Sequence, residues 1–433
     1  MSHSKLRDRK SVVLSIPLIA QFVSEETRRD FIITAGSNLS IAVVSAIGGI
    51  LAARLLGSEG RGELAAATVW AGVLGTVATL GLPQALTYFV ARDSSAIGSI
   101  FMTAMALWAA QSIGILLIGW FAITFLLTRF QPDALAAVRI YLFSIPCSLL
   151  TTYLSTMAQG LKRFKLFNAL RVASALGYVL SLITAGILGS PRAQVVVALM
   201  LAFQVIFALA ALIFFVLRIR PKGGYDGRRT RQVLGYGLKS YWGSLSWMAN
   251  ARLDQFIMSA FVGLEALGHY AVAVSYATVL FPLSGAFAMV LFPRVAEKDG
   301  SAAMNKIKRT LKLNLAVTGS GAVLLGVLCP LILPWLFGSE FQPAVQPATI
   351  LLGGTVLLGC NYVLSDGLRG LGHPLMPSVA ETIGVVAVVA GLSILLPRYG
   401  ILAAAAVSVL SYGIVLMLLT IGLFYISRVR GLQ

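Results

Sequence analysis

Residues Tyr241–Val262 have the sequence YWGSLSWMANARLDQFIMSAFV. The stretch is long enough to span a bilayer, yet it carries Asn250, Arg252, Asp254 and Gln255 near its middle. At about 1.5 Å per residue, Arg252 lies roughly 15 Å from the outer end, close to the bilayer midplane. An ionisable group at that depth costs several kcal/mol, about 2.5–3.5 on insertion scales, unless it faces protein or water. The stretch therefore predicts a polar site inside a membrane protein.

The composition of the whole chain supports this interpretation. Hydrophobic residues make up 58% of the chain, charged residues 12%, and the mean hydropathy is +0.87. A soluble domain has about 25% charged residues, so this chain cannot cover a water-facing surface. Continuous apolar runs repeat from Phe31 to Ile426, which is typical of an all-α polytopic membrane protein and not of an alternating β-barrel.

The apolar runs predict twelve membrane spans. They cover residues 31–53, 64–90, 98–126, 134–157, 168–189, 193–217, 238–262, 266–291, 311–336, 344–366, 376–396 and 401–426. A shorter apolar segment, residues 11–22, is too short to span and lacks a small-residue cleavage pattern. We expect that segment to lie at the membrane interface.

Positive charges are distributed unevenly between the two sides of these spans. With both termini on one side, 24 of the 34 lysines and arginines fall in segments on that side. Five fall in loops on the other side, and these are Arg54, Arg61, Arg129, Arg192 and Arg398. The positive-inside rule then predicts cytoplasmic termini. The net charge of +18 would suggest nucleic acid in a soluble protein, but here it is explained by topology and anionic lipid, so no nucleic-acid partner is predicted.

An internal repeat divides the chain into two halves. Gly57–Ala65, between spans 1 and 2, and Gly263–Ala271, between spans 7 and 8, share Gly, Glu, Gly and Ala at an offset of 206 residues. The predicted units are a cytoplasmic or interfacial segment (1–30), an N-lobe (31–217), a basic linker (218–237), a C-lobe (238–426) and a tail (427–433). Two such six-helix lobes, related by a pseudo-twofold axis, enclose a central site near the midplane.

Several stretches resemble one transporter family. The run LLGSEGRGELA at residues 55–65 and the run LGLPQALTYFVAR at residues 80–92 resemble the opening of the oligosaccharide flippases. These flippases are the polysaccharide-biosynthesis branch of the multidrug/oligosaccharidyl-lipid/polysaccharide exporter superfamily. Ala251–Asp254 resembles its intramembrane charged motif, and Leu267–Ala271 with Phe292–Ala296 resembles its next signature.

The resemblance implies a multi-pass protein of a bacterial inner membrane that moves a lipid-linked oligosaccharide to the outer leaflet by alternating access. It also implies two lobes around a central cationic cavity, with the lipid tail of the substrate in the bilayer. The partners expected are the lipid-linked oligosaccharide, membrane lipids and proteins of polysaccharide polymerisation or assembly. A monomer is expected because the cavity is complete within one chain.

Four cations are candidates for binding substrate. Arg252 is assigned to the diphosphate or to an acidic sugar, because arginine is a strong phosphate donor at low dielectric. Arg139 in span 4 is a second candidate, with snorkelling to the interface as the alternative. Arg171 and Lys239, near the cytoplasmic ends of spans 5 and 7, either receive the phosphate at the inner mouth or anchor lipid headgroups.

The remaining candidates are polar groups of the cavity. Asp254 is a candidate for proton or Na⁺ coupling, and Asn250, Gln255, Asn38 and Glu381 accompany it. Arg252 and Asp254 lie about 160° apart on a helix, so they do not form a simple pair. The alternative is a buried ion-pair network that holds span 7 to its neighbours. The three cysteines fall in apolar runs, and neither a metal site, a cofactor nor an enzyme motif is predicted.

Three other functions remain open. A cation-coupled exporter of drugs or small molecules has the same span count, but its site would be acidic. A membrane glycan polymerase or ligase would require a large outside loop, and the outside loops here are short. A scaffold for glycan assembly would use the midplane charges only for structure.

Overall fold

A computed structural model of the chain describes residues 25–127, 132–296 and 301–429, and nearly all of them are helical. The predicted interfacial segment 11–22 lies outside the described residues. The helices are α1 (Glu25–Ala78), α2 (Leu82–Arg92), α3 (Ile97–Leu126), α4 (Pro132–Leu142), α5 (Ser144–Gly160), α6 (Phe164–Ile187), α7 (Ala193–Ile219), α8 (Gly227–Phe261), α9 (Leu264–Ala277), α10 (Phe281–Ala296), α11 (Ser301–Phe337), α12 (Val345–Gly370) and α13 (Leu375–Val429).

Nine helical stretches of the described chain are long and apolar enough to cross a membrane. Two of them, Gly36–Ala78 with 43 residues and Leu375–Arg428 with 54, are too long for one crossing. As straight helices they would measure about 65 and 81 Å, against a hydrocarbon core of about 30 Å. Each contains a glycine with non-helical backbone, Gly57 or Gly400, and so provides two spans. With the polar helix α8, these stretches account for the twelve predicted spans.

Helix α1 reverses direction at Gly57, which has φ 70° and ψ −176°. Near the start of α1, Thr34 accepts a hydrogen bond from Asn168 at the start of α6. After the reversal, α1 continues into α2, where Thr87 donates to the carbonyl of Thr156 near the end of α5. Both ends of this helical pair therefore lie at the junction of α5 and α6, and Gly57 lies at the opposite end of the bundle. A positive φ of this kind favours glycine because it has no Cβ.

Helix α13 forms a similar antiparallel pair around Gly400. A Cβ on Gly384 would lie 2.6 Å from the Val415 side chain, and a Cβ on Gly391 would lie 2.8 Å from Val407. These contacts are symmetric about Gly400, so spans 11 and 12 pack side by side along their length. The small residues let the two backbones approach closely.

Helix α8 begins earlier than the sequence suggests. The predicted linker, residues 218–237, is non-helical only over 220–226. The Asp226 side chain accepts hydrogen bonds from the backbone N–H groups of Arg228 and Arg229, which caps the first turn of α8. The basic residues that follow are therefore part of a helix that continues into the membrane.

The two lobes, α1–α7 and α8–α13, contact each other at what we call the outer interface. It consists of residues 54–62 of α1 against α9 and residues 335–344, at the end predicted to be outside. Arg54 donates to the carbonyls of Trp335 and Leu336, and the Ser58 N–H donates to Glu340 Oε2 at 3.2 Å. A Cβ on Gly62 would lie 1.8 Å from the Leu264 carbonyl oxygen, so the two backbones touch.

At the opposite, inner end, the N-lobe contacts the first turns of α8. Asp93 lies 4.0 Å from Arg229, and the Tyr88 and Tyr236 rings stack with their centroids 4.5 Å apart. The Ser95 hydroxyl, hydrogen-bonded to Asp93 at 2.6 Å, lowers the pKa of that carboxyl below its ordinary value. Helix α8 is therefore tied to the N-lobe at its start and to the rest of the C-lobe further along.

Candidate functional site in helix α8

Helix α8 is a helix of the C-lobe that faces the N-lobe, with α13 on one side and α1 and α2 on the other. Helix α8 carries polar side chains on two of its faces. One stripe, Ser246, Asn250 and Asp254, recurs every four residues and is buried. Arg252 is exposed and belongs to a different face. The buried stripe contacts α13 of the C-lobe, and the face that carries Arg252 contacts α1 of the N-lobe. The two faces are described in turn.

The buried stripe forms a hydrogen-bonded network with α13. Asn250 Nδ2 donates to Glu381 Oε2 at 2.6 Å, and Asn250 Oδ1 accepts from Ser411 Oγ at 2.9 Å. Ser246 and Thr382 hydroxyls lie 3.1 Å apart. The network therefore joins α8 to both halves of α13, inside the C-lobe.

Asp254 continues this network one turn later. Its carboxylate accepts from the Tyr270 hydroxyl at 2.5 Å, the Ser408 hydroxyl at 3.0 Å and the Gln255 backbone N–H at 2.7 Å. Within the described chain, no basic side chain lies within 4.0 Å of Asp254 or of Glu381. Both carboxylates are thus buried among neutral donors, and the network contains no described ion pair.

Arg252 lies on the face of α8 that is turned toward α1. At 100° per residue, it is about 20° from both Tyr241 and Ser259. Both of these residues contact α1: Tyr241 donates to the Val77 carbonyl at 2.8 Å, and Ser259 accepts from the Trp70 indole at 2.9 Å. Arg252 sits between these two contacts, and it forms no ion pair or hydrogen bond with a described residue.

The other predicted cations do not join Arg252. Arg139 lies over the Trp120 ring, 5.0 Å from its centroid, and donates to Thr124, so α3 holds it. Arg171 is half-buried over the Phe167 ring of its own helix, at 5.1 Å. Lys239 is exposed on α8, thirteen residues before Arg252.

Two predicted polar residues occupy separate positions. Gln255 is buried next to Asp254. Asn38 is half-buried in α1, and its Oδ1 has no hydrogen-bond partner among the described residues. Of the predicted set, the structure therefore brings together the side chains of Asn250, Asp254 and Glu381, and Gln255 contributes its backbone N–H.

Sequence reasoning missed the donors of the network, Tyr270, Ser408 and Ser411. The two serines are three residues apart in α13 and so share a helix face. That spacing, inside an otherwise apolar span, was the available signal. It is a weak signal, because a serine in a membrane helix commonly bonds to its own backbone, as Ser393 does to the Val389 carbonyl.

The N-lobe contains a polar cavity of its own. A cavity of about 320 Å³ between α4, α5, α6 and α7 is lined by tyrosine, serine and threonine hydroxyls and by Gln204. Gln204 Nε2 donates to the Tyr141 hydroxyl at 3.2 Å, while Gln204 Oε1 is buried without a described partner. None of the described lining residues is charged. Such a lining suits water or the hydroxyl groups of a ligand.

The chain is similar to known proteins in sequence and in fold. Residues 27–298 match the family model described as polysaccharide biosynthesis protein. Two curated relatives, both from archaea, are each 24% identical over 193 residues, 43% of this chain. They are an uncharacterised membrane protein of Methanocaldococcus jannaschii and a probable low-salt glycan biosynthesis flippase, Agl15, of Haloferax volcanii. The match spans 38% and 40% of their respective lengths.

Solved structures share the fold. The lipid II flippase MurJ in an inward closed conformation superposes with a TM-score of 0.73 at 13% identity, over 92% of this chain and 90% of that one. An inward-facing multidrug resistance transporter of the MATE family, within the MOP superfamily, gives 0.67 at 14% identity, over 92% and 98%. An outward-facing MATE structure gives 0.59 at 13% identity, over 92% and 97%. The chain therefore has the two-lobe helical fold of these transporters.

Proposed function

Because the chain belongs to the polysaccharide biosynthesis protein family, we propose that it is a flippase and not an enzyme. It moves a polyprenyl diphosphate-linked oligosaccharide across a bacterial inner membrane by alternating access, for O-antigen, capsule or exopolysaccharide synthesis. Both termini are cytoplasmic, and the chain acts as a monomer alongside polymerisation or assembly proteins. The observation that carries the proposal is Arg252, an exposed arginine with no described counterion, on the face of α8 between the lobes.

The chemistry of the cargo fits this residue. A diphosphate is anionic, and an arginine in a water-poor site offers it paired N–H donors. A charge held at the midplane is costly unless it serves a ligand or faces water. The sugars need hydroxyl and amide partners, and the lipid tail needs only access to the bilayer. Arg252 thus supplies the recognition that the charged part of the cargo requires.

The name of one curated relative, a probable glycan biosynthesis flippase, supports the same class of cargo. The alternative is a cation-coupled exporter of drugs or small molecules, as the MATE structures illustrate by fold. An exporter of cations would present acidic groups to the cavity, whereas the described carboxylates of α8 and α13 are buried in a network and Arg252 is exposed. The anionic cargo is therefore favoured.

The test uses purified protein in vesicles that contain a fluorescent polyprenyl diphosphate glycan. We expect leaflet exchange with the wild type and with Arg398→Ala, a control that removes an exposed arginine of α13. We expect leaflet exchange by the Arg252→Ala protein to be slower by about ten-fold or more, because a hydrogen bond to a charged group contributes about 1.5–3 kcal/mol. Exchange of a lipophilic cation, with no exchange of the glycan lipid by the wild type, would instead support the exporter.

We further propose that Asp254 and Glu381 couple transport to H⁺ or Na⁺. A buried carboxylate with no basic side chain in contact is suited to binding a proton or a cation, and both residues are in that situation. We expect a proton or sodium gradient to accelerate exchange by the wild type, and Asp254→Asn or Glu381→Gln to remove the acceleration. Asp366→Asn is the control, because Asp366 has a basic partner, Arg369, at 3.0 Å. Equal acceleration in all variants would exclude the coupling role.

A further inference from the structure

Arg61 is a second unpaired arginine, and it lies buried between the lobes. Charge counting assigns it to an outside loop, but the structure places it in the first turn after Gly57, inside α1. Its side chain is only 9% exposed. One guanidinium nitrogen donates to Ser275 of α9 at 3.4 Å, and its Nε is buried without a described partner.

No described carboxylate neutralises this arginine. Within the described chain, no acidic oxygen lies within 4.0 Å of the Arg61 guanidinium. Glu59 and Glu63 are each two residues away, about 160° around the helix, and so belong to the opposite side. A buried cation without a counterion is unfavourable, and it is normally retained where it binds an anion or becomes exposed in another state.

Arg61 and Arg252 lie on opposite sides of one closed contact between the lobes. Between the two residues, Trp70 of α1 closes the interface: it is 1% exposed, donates to Ser259 and packs on Phe256 with ring centroids 4.5 Å apart. Arg61 is nine residues outward from Trp70, about 13.5 Å along α1. Arg252 is seven residues inward from Ser259, about 10.5 Å along α8.

We propose that Arg61 is the anion-binding residue of the outward-open state, and that it receives the phosphate of the cargo after Arg252. The proposal rests on the flippase function. In the present conformation Arg252 is exposed and Arg61 is covered by α9. Separation of the lobes at the outer interface removes Ser275 from Arg61 and uncovers the guanidinium. The Trp70 contact lies between the two cations, so opening it gives the anion a path from one to the other.

The proposal is tested with a thiol placed beside Arg61, because the reactivity of that thiol can be measured without transport. Ser275→Cys is prepared in a chain whose three native cysteines are replaced by alanine, and it is treated from outside the vesicles with anionic and cationic methanethiosulfonates. We expect Arg61 to accelerate the anionic reagent by about five-fold and to slow the cationic reagent by about the same factor, because one unit charge about 4 Å away contributes about 1 kcal/mol in water. Inorganic pyrophosphate should slow the reaction. Ser339→Cys, exposed at the outer end, provides the intrinsic ratio of the two reagents.

Substitutions of Arg61 complete the test. Arg61→Gln should abolish the preference for the anionic reagent, and Arg61→Lys should retain it. Arg61→Gln should also slow exchange of the glycan lipid, with normal abundance.

Three outcomes decide the matter. If the Ser275→Cys protein reacts with neither reagent, while the Ser339→Cys protein reacts and the wild type exchanges lipid, Arg61 is never uncovered and the proposal is wrong. An unchanged reagent ratio in Arg61→Gln also overturns it. If the wild type does not exchange glycan lipid, the flippase function fails, and the reagent ratio still decides whether Arg61 attracts anions.

Discussion

The carboxylate of Asp254 depends on hydroxyl groups that other helices supply. Tyr270 donates to it at 2.5 Å and Ser408 at 3.0 Å, and all three residues are buried. A carboxylate at this depth is tolerated only while its oxygens are hydrogen-bonded. The stability of the C-lobe should therefore respond to the loss of a single hydroxyl.

We expect Tyr270→Phe to lower the free energy of unfolding by about 1–3 kcal/mol, because it removes one of the two hydroxyl hydrogen bonds to Asp254 Oδ2, a buried and charged acceptor. Thermal unfolding in detergent measures the change. Tyr412→Phe is the matched control, since the Tyr412 hydroxyl forms no hydrogen bond with a described residue. An equal effect of both substitutions would show that loss of the ring hydroxyl, and not loss of the bond to Asp254, is responsible.

At the scale of single residues, the sequence predicts which face of a helix a side chain lies on, but not which residues it contacts. Helical periodicity separates Arg252 from Asp254, and the structure places them in different environments. It does not predict Tyr270 or Ser408, because contacts between distant parts of the chain have no local signature. The span pattern assigns Arg61 to a loop, because two apolar spans are normally joined by several polar residues. Here one glycine makes the turn, so the helix takes in Arg61.

Close approach of α1 and α9 is the main feature at the scale of the elements. Gly62 and Gly268 lie at equivalent places in the internal repeat, and each faces a backbone carbonyl of the other helix. A Cβ on Gly62 would lie 1.8 Å from the Leu264 oxygen, and a Cβ on Gly268 would lie 1.9 Å from the Ser58 oxygen. No side-chain movement can relieve these clashes, because the obstructing atoms belong to backbone.

We expect Gly62→Ala to destabilise the closed outer interface by about 1–3 kcal/mol, as overpacking does in a tight contact. Gly72→Ala, in the same helix and with no atom within 4 Å of its Cβ, should be neutral or stabilising by up to about 1 kcal/mol. Thermal unfolding and the accessibility of Ser275→Cys to thiol reagents report the two effects. A Gly62→Ala protein that is as stable and as closed as the Gly72→Ala protein would contradict the backbone contact.

The elements themselves are largely predictable, since each span predicted from hydropathy is mostly helical, although α8 and α11 begin well before their predicted spans. The breaks of a helix within a span are harder to predict. Span 4 divides into α4 and α5 at Phe143, three residues before Pro146, whereas Pro330 and Pro334 lie within an unbroken α11. A proline removes one backbone donor, and neighbouring helices decide whether the chain bends or continues.

For the whole molecule, the outer interface is closed while Arg252 remains exposed. Alternating access requires this interface to open during each cycle. We expect a reducible cross-link between Ser58→Cys and Glu340→Cys, in a chain without its native cysteines, to abolish exchange of the glycan lipid. The two positions are joined by a 3.2 Å hydrogen bond across the lobes.

Reduction of the cross-link should restore exchange, and the two single-cysteine proteins should be active throughout. Full exchange by the cross-linked protein would mean that the cargo does not pass between the lobes at this end. The internal repeat predicts two lobes around a midplane site, but not which end of their interface is closed. That depends on the balance between two conformations of one sequence, which periodicity and composition do not determine.

The glycine turns at Gly57 and Gly400 also have a consequence for biosynthesis. They join the first two and the last two membrane helices with hardly any intervening loop, and the helix after Gly57 begins with Glu59, Arg61 and Glu63. If the first helix entered the lipid alone, these charges at the start of the second helix would lack the packing surface that the first helix provides. Each pair is therefore suited to leave the translocon together, as a preassembled helical hairpin.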